Sequence, residues 1–298
     1  MCEEQLAHLN TEMRNPRSAD MDKMSIRELL ILMNQEDANV IGSVREAIPE
    51  IEAVVKYVVH ALEIGGRLIY AGAGTSGRMG VMDAVECTPT FSTTNEVIAV
   101  MAGGSSAFVQ AKEGAEDSEE LARSDLKEVG TNEKDVVIAI AASGRTPYCI
   151  GALKYAKEVG AVCVSLSCNK QAVLSAYADV AIEVDAGPEV LTGSTRLKAG
   201  TCQKLILNMI STVSMIHIGK VYGNYMVDMK ATNRKLEDRA KRIIMDSTEC
   251  SEAVAVAALK EAGMSIKTAI VMILMGVSRE EADARLHREK GFIRKCVE

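Results

Sequence analysis

Over the first 50 residues, polar stretches alternate with short apolar runs at helical spacing, as in Ser25-Ile-Arg-Glu-Leu-Leu-Ile-Leu-Met, with a break at Asn15-Pro16. The pattern predicts an N-terminal helical arm, residues 1–50, of about two helices. Apolar positions recur with helical period again from Ile51 to Glu63, and Gly65-Gly66 supplies a stop. The rhythm then changes. Five short β-branched runs follow, at Leu68–Ala71, Val97–Met101, Val136–Ala141, Val162–Leu166 and Val180–Val184, separated by helix-length amphipathic intervals. Runs so short and so continuously apolar suit strands buried on both faces. The expected fold is therefore α/β, a three-layer sandwich with a five-stranded parallel sheet over residues 51–222.

After the last strand, Thr192-Gly-Ser-Thr-Arg opens a long helix expected from about Leu197 to Ile218, with Leu197, Thr201, Leu205, Met209, Thr212 and Ile216 on one stripe. Ser194 or Thr195 stands where a cap is needed. Near Asn233 the chain turns charged, Arg234-Lys-Leu-Glu-Asp-Arg-Ala-Lys-Arg, and leads into three periodic segments at 251–263, 265–275 and from 278 onward. The last carries a capping-box pair, Ser278 and Glu281. Residues 223–298 are expected to form a linker and a small three-helix module.

Composition narrows the function. A chain of 298 residues with 48% hydrophobic content can bury one substantial core and a small satellite. The net charge of -7, without a long Lys or Arg run, argues against nucleic acid as a partner. With no Trp and three Phe, neither a base-stacking platform nor an aromatic membrane belt can be assembled. The start Met1-Cys2-Glu3-Glu4 has no signal-peptide character, and no segment approaches the roughly 20 apolar residues of a membrane helix, so a cytoplasmic location is expected. Eight Cys without a Cys-x-x-Cys pair, and only four His, leave a metal centre poorly supplied; no metal and no cofactor are expected.

The chemistry concentrates in two loops. Ala71-Gly-Ala-Gly-Thr-Ser-Gly-Arg-Met-Gly80 follows the first strand and enters a helix. Its glycines let backbone approach a ligand, Thr75 and Ser76 offer hydroxyls, and the helix start offers N–H groups to an anion. Gly74, Thr75, Ser76 and Gly77 are thus candidate phosphate contacts. It fits a dinucleotide fingerprint poorly, since the second strand ends without an acidic residue to hold a ribose. A second loop of the same type, Ala142-Ser-Gly-Arg-Thr-Pro147, follows the third strand and adds Ser143, Gly144, Arg145 and Thr146. Two loops of one chemistry at strand ends point to one shared ligand, although the same residues would also serve as capped βα turns. Ser194 and Lys198, at the start of the long helix, are further candidate contacts. Arg78 and Arg145 are candidates for an anionic group, and equally ordinary surface arginines.

These loops resemble the sugar isomerase (SIS) family of phosphosugar-binding domains. Further stretches resemble N-acetylmuramic acid 6-phosphate etherases: Asp83-Ala-Val-Glu-Cys-Thr-Pro-Thr, Glu113-Gly-Ala-Glu-Asp-Ser118, Leu197-Lys-Ala-Gly-Thr-Cys-Gln-Lys-Leu and Tyr222-Gly-Asn-Tyr-Met-Val-Asp-Met-Lys-Ala-Thr-Asn233. The likeness runs over nearly the whole chain to Gly291-Phe-Ile-Arg294, with Val85 and Thr88 standing where such enzymes more often have Ser and Pro. It implies a homodimer acting on a phosphorylated amino sugar by elimination and water addition. The C1 aldehyde of the opened sugar acidifies the C2 proton, and the lactyl oxygen on C3 leaves. Such a step needs a base at C2 and an acid at the departing oxygen. The resemblance assigns Glu116 as base and Glu86 as proton donor. The small or apolar neighbours Ala84, Val85 and Cys87 suggest that Glu86 is buried, which would suit an acid. Two rivals use the same loops: an aldose–ketose phosphosugar isomerase, and a non-catalytic sugar-phosphate sensor.

Overall fold

The computed structural model describes residues 9–110, 112, 114–231 and 233–298; residues 1–8 of the expected arm, with Glu113 and Thr232 of the quoted motifs, lie outside them. Five parallel strands form the sheet: β1 (Leu68–Gly72), β2 (Val97–Met101), β3 (Val136–Ala141), β4 (Val162–Ser167) and β5 (Val180–Glu183). Their spatial order is β2-β1-β3-β4-β5. The pattern of burial explains why these runs are strands. β1 and β3, with a neighbour on either side, are buried at every position, whereas the edge strands β2 and β5 are buried only in part.

Helices cover both faces. On one, Ile69, Ala71, Val137, Ala139 and Ala141 join a single apolar cluster with Ala122 and Leu126 of α5 (Glu119–Glu128) and with Tyr148, Cys149, Ala152 and Leu153 of α6 (Pro147–Glu158). On the other, α3 (Gly74–Phe91) sets Gly80 against the side chains of Tyr70 and Ile140. Along a strand successive side chains alternate faces, so these two sets must lie on opposite sides. The buried phenol of Tyr70 donates to Asp83 at 2.9 Å, and Asp83 also takes Lys204 of α7 (Lys198–His217) at 2.7 Å.

The N-terminal arm differs from expectation. Where about two helices were expected, the described residues before 47 form 3-10 turns at 16–18 and 21–23 and one α-helix, α1 (Ile26–Glu46). The start of α1 is fixed by a capping box, in which Ser25 accepts from the Glu28 N–H and Glu28 accepts from the Ser25 N–H. Next comes α2 (Ile48–Glu63), which contacts β1, β3 and β5, and after β2 a single helical turn, α4 (Ser106–Val109).

The chain divides into two compact units. One runs through Ala84 and resumes over Asn95–Ser211; the other holds Val85–Thr94 and Thr212–Glu298. Among the described residues of 223–298, where three helices were expected, there are five: α8 (Arg234–Thr248), α9 (Glu252–Glu261), α10 (Ile266–Met275), α11 (Arg279–Arg288) and α12 (Ile293–Val297). The charged stretch expected to be a linker is α8, because its charges recur around an inward stripe of Ala240, Ile243 and Ile244. Asn233, Ser251, Ser265 and Ser278 cap the first four of these helices, each accepting from the N–H three residues on.

Candidate active site

In an open parallel sheet the ligand crevice opens where the strand order reverses. Here that point lies between β1 and β3, since the chain moves from β1 outward to β2 and then returns past β1 to β3. Gly72 pairs with Ile140, so the two glycine-containing loops leave neighbouring strand ends. The first unit therefore brings Gly74–Gly77 and Ser143–Thr146 to the carboxyl ends of two neighbouring strands.

In the first loop, α3 begins only two residues after the strand ends, at Gly74 with φ +54°. Gly77 lies so close to the strand end that a Cβ there would stand 2.7 Å from the Gly72 carbonyl oxygen. Gly74 faces open space and is exposed. Thr75 is half-buried, while Ser76 is buried with its hydroxyl accepting from Gln203 Nε2 at 2.9 Å. That bond leaves the Ser76 hydroxyl proton as a donor.

The second loop turns at Gly144, where φ is +68° and a Cβ would lie 2.4 Å from that of Ala172. Only glycine satisfies both constraints. The half-buried Ser143 accepts the Arg145 N–H at 3.3 Å, and Arg145 Nε is buried without a hydrogen-bond partner. Thr146 makes no side-chain cap on α6, and Pro147 at the helix start has no N–H to satisfy. The first turn of α6 is thus open to an anion in the same way as that of α3.

Glu116 occupies a 3-10 turn, Ala115–Asp117, set by Gly114 at φ +78°. It is exposed, and with Ala73, Gly74, Arg78, Met101, Ala102, Ala107 and Lys112 it lines a cavity of about 180 Å³. Arg78 is held there by the carbonyls of Ala107 and Phe108 at 2.8 and 3.0 Å, and Lys112 by that of Gly103 at 2.9 Å. Burial pushes the Cys149 thiol, in the first turn of α6, up to about 12, with the Glu116 charge adding to the effect. A carboxylate and two cations thus line one cavity with Gly74 of the first loop, and the second loop leaves the neighbouring strand end.

Not every expected residue is there. Lys198, only 2% exposed, has its ammonium in a buried pair with Glu36 at 2.8 Å. The start of α7 is occupied by Glu189, whose carboxylate accepts the N–H groups of Lys198 and Ala199 at 2.9 Å each. Burial raises Glu189 above its ordinary value, and these two N–H bonds offset it only in part. Ser194 is half-buried in the preceding turn. Glu86 is exposed, which corrects the expectation of burial. Along α3 the inward positions are Asp83, Ala84 and Cys87, and the helical turn carries Val85 and Glu86 outward. Glu86 belongs to the second compact unit and Glu116 to the first. Sequence reasoning missed Lys112 and Glu189, neither of which sits in a periodic or glycine-rich pattern.

Three comparisons bear on these features. The chain is 55% identical over 294 residues to an N-acetylmuramic acid 6-phosphate etherase of Geobacillus thermodenitrificans, covering 98% of this chain and 100% of that one. It is 56% identical over 293 residues to the enzyme of the same name from Bacillus mycoides, again over 98% and 100%. Residues 50–157 match the family model of the glucokinase regulatory protein N-terminal SIS domain. Among solved structures, a phosphoheptose isomerase from Neisseria gonorrhoeae shares the fold, with a TM-score of 0.52 and 17% identity over 64% of this chain and 98% of that one.

Proposed function

The chain belongs to the N-acetylmuramic acid 6-phosphate etherases, and from that premise we propose which of its residues do the chemistry. It is a carbon–oxygen lyase that cleaves the lactyl ether of N-acetylmuramic acid 6-phosphate, giving N-acetylglucosamine 6-phosphate and D-lactate. The phosphate is held by the first turns of α3 and α6, through Gly74, Thr75, Ser76 and Gly77 on one side and Ser143, Gly144, Arg145 and Thr146 on the other. The buried, unpartnered Nε of Arg145 supports this, because such a donor is costly unless a ligand takes it. Ser194, in the turn before α7, is a further phosphosugar contact in this reading, whereas Lys198, spent on Glu36, is not one.

With the sugar ring open, Glu116 removes the C2 proton. The electrons form the C2–C3 double bond as the lactyl oxygen leaves C3, protonated by Glu86. Water then adds at C3 and a proton returns to C2, restoring the saturated sugar. The observation that carries this reading is Glu116 lining one cavity with Gly74 of the first loop, beside Arg78 and Lys112. Arg78 and Lys112, in the same cavity, supply the positive charge that a lactyl carboxylate requires. The aldose–ketose isomerase reading would leave Arg78 and Lys112 without a carboxylate to bind.

Glu86→Gln separates the two roles. The variant is expected to keep exchanging the substrate C2 proton with solvent while D-lactate release falls about 10²-fold or more. Loss of both together would remove Glu86 from the acid role. At the second loop, Gly144→Ala forces both a left-handed alanine and a clash with Ala172. Displacement of this anchor is expected to lower kcat/KM for D-lactate release about 10²-fold. An unchanged kcat/KM would detach the loop from substrate binding.

The reading extends to assembly and location. Exposed Met209, Val213 and Ile216 recur at spacings of four and three along α7, a face suited to a second copy in a homodimer. Among the described residues no helix is long and apolar enough to cross a membrane, and the cytoplasm is the location this reading takes.

A further inference from the structure

The second compact unit has a cavity of its own, about 400 Å³ in volume, lined by Ser92, Lys220, Asp228, Lys230, Ser265 and Ile266 among others. Its charges do not balance. Asp228 takes Lys267 Nζ at 2.8 Å and Lys220 Nζ at 3.2 Å, so one carboxylate serves two ammonium groups. Lys230 adds a third cation at the rim, where it is exposed. Lys267 is largely buried, and burial pulls its ammonium below the ordinary value; Asp228 offsets this in part, while Lys220 pushes the same way as burial. With Lys267 buried, Lys220 half-buried and Lys230 at the surface, one shared carboxylate leaves net positive charge to which an anion is attracted.

The wall supplies donors as well as charge. Ser265 caps α10 through Thr268, accepting its N–H at 3.2 Å and sharing a hydrogen bond with its hydroxyl at 2.8 Å, so the N–H groups of Ile266 and Lys267 stand at the helix start without an intrahelical partner. Ser92 donates to the Asp228 carbonyl oxygen, tying the end of α3 to the wall. Three ammonium groups against one carboxylate, beside a free helix start, suit a phosphate dianion. The volume exceeds what a phosphate alone occupies and falls within the range of about 300–1,000 Å³ for small-molecule pockets.

We propose that this cavity is a second phosphate-monoester site, built for a phosphorylated monosaccharide and separate from the loops after β1 and β3. The full-length protein is titrated calorimetrically with N-acetylglucosamine 6-phosphate and, as a control, with unphosphorylated N-acetylglucosamine. Two sugar phosphates are expected to bind per chain, and the unphosphorylated sugar is expected not to occupy the second site. Lys230→Glu, at an exposed position, and Lys220→Gln are both expected to weaken one class of binding at least tenfold while D-lactate release at saturating substrate stays unchanged. One class of binding per chain, untouched by Lys230→Glu, would overturn the proposal. So would a single class that weakens together with D-lactate release, since these lysines would then belong to the catalytic site. Failure of the etherase reading shows up separately, as a wild-type protein that releases no D-lactate.

Discussion

Glu116→Gln is expected to lower the rate of D-lactate release by about 10²–10⁴-fold, the usual contribution of a positioned general base. The amide keeps the size of the side chain and loses only its capacity to take the C2 proton. Glu116 is exposed, on a turn whose shape is set by Gly114, and no core packing depends on it. Thermal unfolding of the variant should therefore match the wild type. The comparison is made at saturating substrate, so that any change in phosphate binding drops out. A variant that turns over within twofold of the wild type would take the base role away from Glu116. The effect should exceed that of losing a loop contact, because no other described carboxylate lines that cavity.

The largest effect on stability is expected at Glu36, which does not line the Glu116 cavity. Its carboxylate accepts from Lys198 Nζ at 2.8 Å, Asn15 Nδ2 at 2.9 Å and Arg17 at 2.7 Å. Lys198 and Glu36 are 2% and 4% exposed, so removing one strands the other. Glu36→Ala leaves an uncompensated buried ammonium, and destabilisation of about 3–5 kcal/mol is expected by urea unfolding. The double variant Glu36→Leu with Lys198→Met should be less destabilised than the single one, because no orphan charge remains. A single variant within about 0.5 kcal/mol of the wild type would show that the pair contributes little.

Acid should weaken the same network. Burial raises the Glu36 carboxyl, but Lys198, Asn15 and Arg17 outweigh it and leave the group below its ordinary value of 4.5. A depressed carboxyl contributes stability that is fully present above the unfolded value and is lost as the pH falls through the lower, folded one. The gap in stability between wild type and Glu36→Ala should accordingly be constant at neutral pH and narrow below about 4.5.

Some of this was legible in the residue order and some was not. The strands were, because a β-branched run such as Val136–Ala141 between polar turns has few alternatives to a buried parallel strand. Both glycine loops were legible for a similar reason, since Gly144 combines a positive φ with a contact no Cβ could fit. Glu86 was misread because small neighbours in sequence do not report helical phase; Cys87 turns inward and Glu86 outward. Lys198 looked like a ligand at a helix start because its partner, Glu36, lies 162 residues earlier and leaves no local trace. Glu189 filled that helix start in the same silent way. The charged run of α8 was read as a linker because its inward stripe is only three residues wide.

Hydrogen at C2 carries the most direct test. Wild-type protein is supplied with N-acetylmuramic acid 6-phosphate in deuterium oxide, and the N-acetylglucosamine 6-phosphate formed is examined by proton NMR. Abstraction by Glu116 followed by return of a solvent proton predicts one deuterium at C2 for each D-lactate released. Product that retains its original hydrogen at C2, at an undiminished rate of lactate release, would mean that the ether breaks without that proton ever leaving.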